Sequence, residues 1–137
     1  MAFTIRRVQY FYTAIPDTPG EGYKLLSQLA EHGVNLLAFT AVPVGPMRTQ
    51  LTLFPEREDQ LADVARRSGM QLDGPHPALL VMGEDRLGAL AAIHERLYEA
   101  KVNVYASSGV TDGRGGFGCV LYVRPEELDR AAPALGL

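Results

Sequence analysis

Two short stretches of this chain could hold a small anion, and they are copies of one another. Asp17-Thr18-Pro19-Gly20 opens one amphipathic run, and Asp85-Arg86-Leu87-Gly88 opens another 68 residues on. In the first turn of a helix, backbone N–H groups lack intrahelical partners and the helix dipole favours negative charge. A glycine there lets a carboxylate approach those donors closely. Each run is followed by an asparagine, Asn35 or Asn103, which offers both a donor and an acceptor. An α-amino acid carries a carboxylate and an ammonium together, and this pairing suits it. Thr18–Gly20 and Arg86–Gly88 would hold the charged end. The residues just after the asparagines, Leu36, Leu37, Val104 and Tyr105, would wall the side chain. The same residues also have a purely structural reading. Glycine lets a helix pack tightly on a sheet, and asparagine caps turns.

Other reactive groups do not assemble into a catalytic pattern. Gly113-Arg114-Gly115-Gly116-Phe117-Gly118 has the spacing of a dinucleotide loop, but such a loop must lead into a helix. Cys119 to Val123 reads as a strand, which makes the glycine run a hairpin. His32, His76 and His94 show no ligand spacing, and no metal or cofactor is expected. His32 reads as a cation near a helix end and His76 as a loop residue between Pro75 and Pro77. Cys119 reads as a small core hydrophobe. Ser107-Ser108 lacks the turn that exposes a nucleophile. Glu56, Glu58, Asp59 and Asp63 form a solvated helix face with Arg57, Arg66 and Arg67.

A net charge of −3 provides no basic stripe for nucleic acid. No apolar run approaches a membrane span, and the N-terminus lacks the apolar core of a secretion signal. The single cysteine suits a reducing cytoplasm.

These loops must be positioned by elements that the sequence also marks. Val8 to Ile15 reads as a strand. Thr18 as N-cap, Pro19 at the first helical position and Glu21 as a capping box then start a helix with Gly22, Leu25, Leu26 and Leu29 on one face. Gly33 is its left-handed terminator. Asn35–Val44 and Arg48–Phe54 are strands around Pro43, Gly45 and Pro46. Glu58–Arg67 is a helix closed by Gly69, and Met70–Leu72 a short strand. The second half repeats the order: strand Ala78–Met82, helix Leu87–Ala100 with Leu90, Ile93 and Leu97 inward, strands Asn103–Val110 and Phe117–Val123 around Asp112-Gly113, and helix Pro125–Ala132.

At the same offset of 68, Val34, Leu29, Glu31, Ala38, Val42, Gly45, Leu53 and Glu58 meet identical residues in Val102, Leu97, Glu99, Ala106, Val110, Gly113, Leu121 and Glu126. Two copies of one supersecondary unit follow. Each is β-α-β-β-α-β, so the fold class is α+β: two ferredoxin-like units in tandem, with antiparallel sheets and helices on one face. The division is 1–74 and 75–137. The second unit runs out of chain before its last strand, and the surplus segment Ala2–Arg7 is expected to supply it.

Asp17-Thr18-Pro19-Gly20 and Gly33-Val34-Asn35-Leu36 resemble the signature of the ACT domain, a ligand-sensing module attached to amino-acid metabolic enzymes. Asp85-Arg86-Leu87-Gly88 and Lys101-Val102-Asn103-Val104 fit it more loosely, lacking the proline and the terminating glycine. The resemblance covers nearly the whole chain. It implies a stand-alone tandem ACT protein, a homodimer that binds an amino acid or related metabolite at the seam between units and alters its own association or that of a target protein. The alternatives are an interaction module whose second motif no longer binds a ligand, and a small enzyme on the same scaffold.

Overall fold

The computed structural model describes residues 3–137. Its elements run β1 (Phe3–Pro16), α1 (Glu21–Glu31), β2 (Leu36–Pro43), β3 (Arg48–Pro55), α2 (Glu58–Ser68), β4 (Asp73–Glu84), α3 (Ala89–Glu99), β5 (Val104–Thr111), β6 (Gly116–Val123), a 3₁₀ turn at Pro125–Glu127, and α4 (Leu128–Ala134). They form two units. One is Gln9–His76; the other gathers Pro77–Leu137 with the start of the chain through Val8.

Within Gln9–His76 the strand order is β2-β3-β1-β4, with β3 antiparallel to both β1 and β2. Alternation sends every second side chain to one face. Phe11 on β1 and Leu51 and Leu53 on β3 meet Leu25 and Leu29 of α1 and Leu61 and Val64 of α2 in one core cluster. Both helices therefore cover the same face. Gly33, at φ 74, lets Val34 N–H bond the Leu29 carbonyl at 2.9 Å and ends α1.

The other unit has the order β5-β6-β4-β1, again antiparallel along β4–β6 and β5–β6. Leu79, Val81, Phe117, Cys119, Leu121 and Val123 pack under Ala89, Ile93 and Leu97 of α3 and Ala131 and Ala132 of α4. Phe3 and Ile5 pack against this second cluster. Thr4 Oγ1 donates to the Met82 carbonyl at 3.4 Å, and Arg96 lies 5.2 Å over the Phe3 ring. The first described residues thus stand beside β4 as the fourth strand. Ala2 lies outside the described residues.

Three local readings need correction. Met70–Leu72 form no strand of their own, and the strand expected at Ala78–Met82 is part of a longer one, β4, which begins at Asp73. Gly74, Pro75 and Pro77 suggested a break. The β6 ladder on β4 begins at Leu79, so the prolines sit where that neighbour asks for no N–H. Consequently His76 is a strand residue rather than a loop residue. On α3, Leu90 faces out at 46% exposure and Ala89 takes the inward position with Ile93 and Leu97.

Lys101 replaces the expected terminating glycine of α3 and adopts its conformation, with φ 60. Val102 N–H still reaches the Leu97 carbonyl at 2.9 Å. A side chain in this region costs about 1–2 kcal/mol. Lys101→Gly is therefore expected to stabilise the protein by about 1 kcal/mol, raising the thermal midpoint by about 3 °C. Calorimetry of the variant checks it; an unchanged or lower midpoint contradicts it.

Candidate functional site

The loops that precede α1 and α3 are built alike. Gly20 and Gly88 are the helix N-caps, at φ 91 and φ 82, and neither helix has a side-chain cap. The expected Thr18 N-cap and Pro19 first helical position are thus displaced: Thr18–Gly20 form a turn in which Glu21 N–H approaches the Thr18 carbonyl at 3.4 Å. Likewise α3 begins at Ala89, not Leu87, and Ala89 N–H bonds the Arg86 carbonyl at 3.0 Å. The cause is the left-handed backbone at each glycine, which no helix can continue. A Cβ built on Gly20 or Gly88 would meet nothing within 4 Å. The left-handed backbone favours glycine at both positions, and the space beside them is open to a ligand.

The loss of proline at Leu87 leaves this geometry intact. Asp17 N–H bonds the Met47 carbonyl at 2.9 Å, and Asp85 N–H bonds the Gly115 carbonyl at 2.9 Å. Each glycine loop is thereby tied to the following hairpin turn. Lys24 N–H to Gly20 and Ala92 N–H to Gly88, at 2.9 and 3.0 Å, start the two helical ladders. Every one of these bonds recurs at the offset of 68.

Beside the second loop lies a cavity of about 550 Å³, walled by Asp85–Ala91, Gly109–Thr111 and Phe117. Arg86 is in an ion pair with Glu84. Leu87 is fully exposed, and Val110 is 74% exposed. The walls thus combine one guanidinium, the N-terminal end of α3 and an apolar rim.

Of the predicted residues, Arg86, Leu87 and Gly88 line this cavity. Thr18, Pro19 and Gly20 form the equivalent turn in the other unit. Asn35, Leu36 and Leu37 lie at the far end of α1, and its eleven residues span about 16 Å. Asn103, Val104 and Tyr105 lie likewise at the start of β5, about 20 Å along that strand from Thr111. Within a unit, then, glycine and asparagine are not brought together. Asn35 is engaged elsewhere: its Nδ2 donates to Glu56 Oε2 at 2.8 Å, while its carbonyl accepts Glu56 N–H at 2.9 Å. Gly109, Val110, Thr111 and Phe117 went unrecognised as cavity residues, although the recurrence of Val42 as Val110 and Gly45 as Gly113 marked that end of the strand.

Three titratable groups are held by their surroundings. The Tyr12 hydroxyl and the His76 ring bond the Asp73 carboxylate and hold its pKa below the ordinary value; His76 Nε2 lies 2.9 Å from Oδ1. The backbone N–H groups of Arg114 and Gly116 lower Asp112 in the hairpin turn, at 2.6 and 3.0 Å. Burial raises the Cys119 thiol. Among the described residues no three His, Cys, Asp or Glu side chains group as a metal site. No helix there is long and apolar enough to cross a membrane.

No protein-family model matches the chain, and no curated protein matches it in sequence. Solved structures share its fold. A Bacteroides thetaiotaomicron protein superposes with a TM-score of 0.81 at 14% identity, over 96% of this chain and 88% of the other. The ligand-free regulatory subunit of aspartate kinase from Thermus thermophilus gives 0.67 at 15% identity, over 98% and 95%. A structure of aspartokinase alpha and beta subunits gives 0.67 at 17%, also over 98% and 95%. The fold is a tandem pair of ferredoxin-like units, shared with these structures.

Proposed function

We propose that this chain is a regulatory, non-catalytic protein that binds a small molecule, an amino acid or close relative, at the Arg86–Gly88 loop. The observation that carries the reading is the cavity at the start of α3, where a left-handed glycine leaves open space against first-turn N–H groups. The ligand's carboxylate would take those N–H groups and Arg86; Leu87, Leu90 and Val110 would receive an apolar side chain. The aspartate kinase regulatory subunit among the structural neighbours supports a sensing role. A ligand touching a glycine loop and an asparagine together would draw on two units, and a homodimer whose association, or whose hold on a target protein, responds to the ligand is the form of regulation we propose.

Gly88→Asp tests the site. Aspartate tolerates left-handed backbone, and its Cβ would enter open space, so the fold should persist. Its carboxylate would occupy the anion position. In a thermal-shift screen against the twenty amino acids and their biosynthetic relatives at millimolar concentration, one ligand should raise the midpoint of the natural protein. At a hundred times its dissociation constant it contributes about 2.7 kcal/mol. The variant should lose that response. Retained response in Gly88→Asp would remove the site. No response to any compound would favour the interaction-module reading, which the exposed Leu87 and Val110 support.

A further inference from the structure

One wall of the cavity beside Arg86–Gly88 is Gly109, and the backbone does not ask for glycine there. Gly109 lies inside β5, without the positive φ that marks Gly20 and Gly88. Glycine weakens a strand interior, since it brings no side chain to pack. A Cβ built on it would stand 3.4 Å from the Gly118 carbonyl oxygen and 3.8 Å from Cys119 Cβ and Sγ, which are ordinary contacts. The strand has room for a side chain and carries none.

The unfilled position faces α3. Gly109 and Cys119 are partners in the β5–β6 register, and residues paired in this way project to one face. Cys119 packs in the cluster under α3, together with Ala89 and Phe117, and these two also wall the cavity. The other unit carries Ala41 and Leu51 at the two matching positions, 68 residues earlier and paired alike. It carries Glu21 as the first residue of α1, where α3 has Ala89. All three differences remove side-chain volume from the second unit, and one removes a carboxylate, on the side where the cavity lies.

We propose that this cavity selects an amino acid with a bulky apolar side chain, of the size of leucine or phenylalanine, and that Gly109 is the residue that admits it. The side chain would lie against Ala89, Leu90 and Phe117, with its end over Gly109. Alanine or glycine as ligand would leave that apolar surface uncovered. This inference rests on the glycine-loop reading and adds to it the class of side chain and the residue that sets it.

Titration of the full chain with L-leucine, L-phenylalanine, L-alanine and glycine, followed by calorimetry and amide chemical shifts, tests it. At least one of the two large amino acids should bind saturably, about tenfold or more tighter than alanine or glycine. Its shifts should include Gly109 and Phe117–Cys119. Gly109→Ala should keep or raise the thermal midpoint and weaken that ligand about tenfold. Ser107→Ala, on the same strand and outside the cavity walls, should bind like the natural protein. Equal affinity for large and small side chains overturns the proposal, as does unaltered affinity in Gly109→Ala. Gly88→Asp separates the two readings: binding lost there but kept in Gly109→Ala removes this inference and leaves the glycine loop standing. Binding of none of the four overturns it too, and the wider thermal-shift screen then decides the glycine loop by itself.

Discussion

Replacing Gly74 by alanine is expected to destabilise the protein by about 4 kcal/mol. A Cβ at this position would stand 2.8 Å from the Tyr10 carbonyl oxygen and 2.8 Å from Phe11 Cδ2. Neither neighbour is free to yield. The carbonyl is backbone within β1, and Phe11 is 3% exposed in the core under α1 and α2. Overpacking a filled core costs about 1–3 kcal/mol, and the positive φ of 152 adds about 1–3 kcal/mol of strain for any side chain. Urea unfolding followed by circular dichroism should show the midpoint fall by about 2 M at unchanged slope. Gly22→Ala is the control. That glycine lies in α1 with a negative φ and no atom within 4 Å of a built Cβ, so alanine should stabilise by about 1 kcal/mol. A loss below about 1 kcal/mol at Gly74 would mean that the β1–β4 contact opens without cost.

The two glycine positions illustrate how far the sequence could be read. Gly20 and Gly88 stood out because they recur at one offset, and recurrence reports the fold before any atom is placed. The edge strands bend at equivalent places, β2 between Leu36 and Ala38 and β5 between Val104 and Ala106, but no residue pattern announced those bends. Gly74 carried no such signal. It lies in a run with Pro75 and Pro77, and local rules read that run as a connection. Its role depends on Tyr10 and Phe11, which are distant in sequence. Lys101 is the converse case. Local rules ask for glycine there, and the helix end forms without it because the Leu97–Val102 bond holds the backbone. Cavities are the least legible feature. The cavity beside Arg86–Gly88 sets a helix start against Gly109–Thr111 and Phe117, which the β5–β6 pairing brings there and no spacing in the sequence announces.

Deleting residues 2–7 is expected to cost about 4 kcal/mol and to open the Pro77–Leu137 core specifically. The balance of strands requires it. β4, β5 and β6 make three of a four-stranded ferredoxin-like sheet, and the start of β1 stands beside β4 as the fourth. Phe3 and Ile5 fill that side of the cluster from the other end of the chain. Each is partly buried, so each contributes about 1–1.5 kcal/mol of apolar burial, and the lost pairing along β4 supplies the remainder. The ion pair of Arg7 with Asp129, at 3.5 Å and exposed, adds little. Cys119 gives a local reading of the result, because it lies in the same cluster at 2% exposure and is the chain's one thiol. In the intact protein it should react slowly with a thiol reagent. In the deletion variant the rate should rise about a hundredfold or more, since a change of 4 kcal/mol in opening free energy allows up to about a thousandfold. Ile5→Asp should reproduce the effect by placing a charge in that core, whereas Thr4→Ala should not. Unchanged reactivity after deletion would mean that three strands suffice to close the core, and the first residues would then be a surface addition rather than the strand that completes the fold.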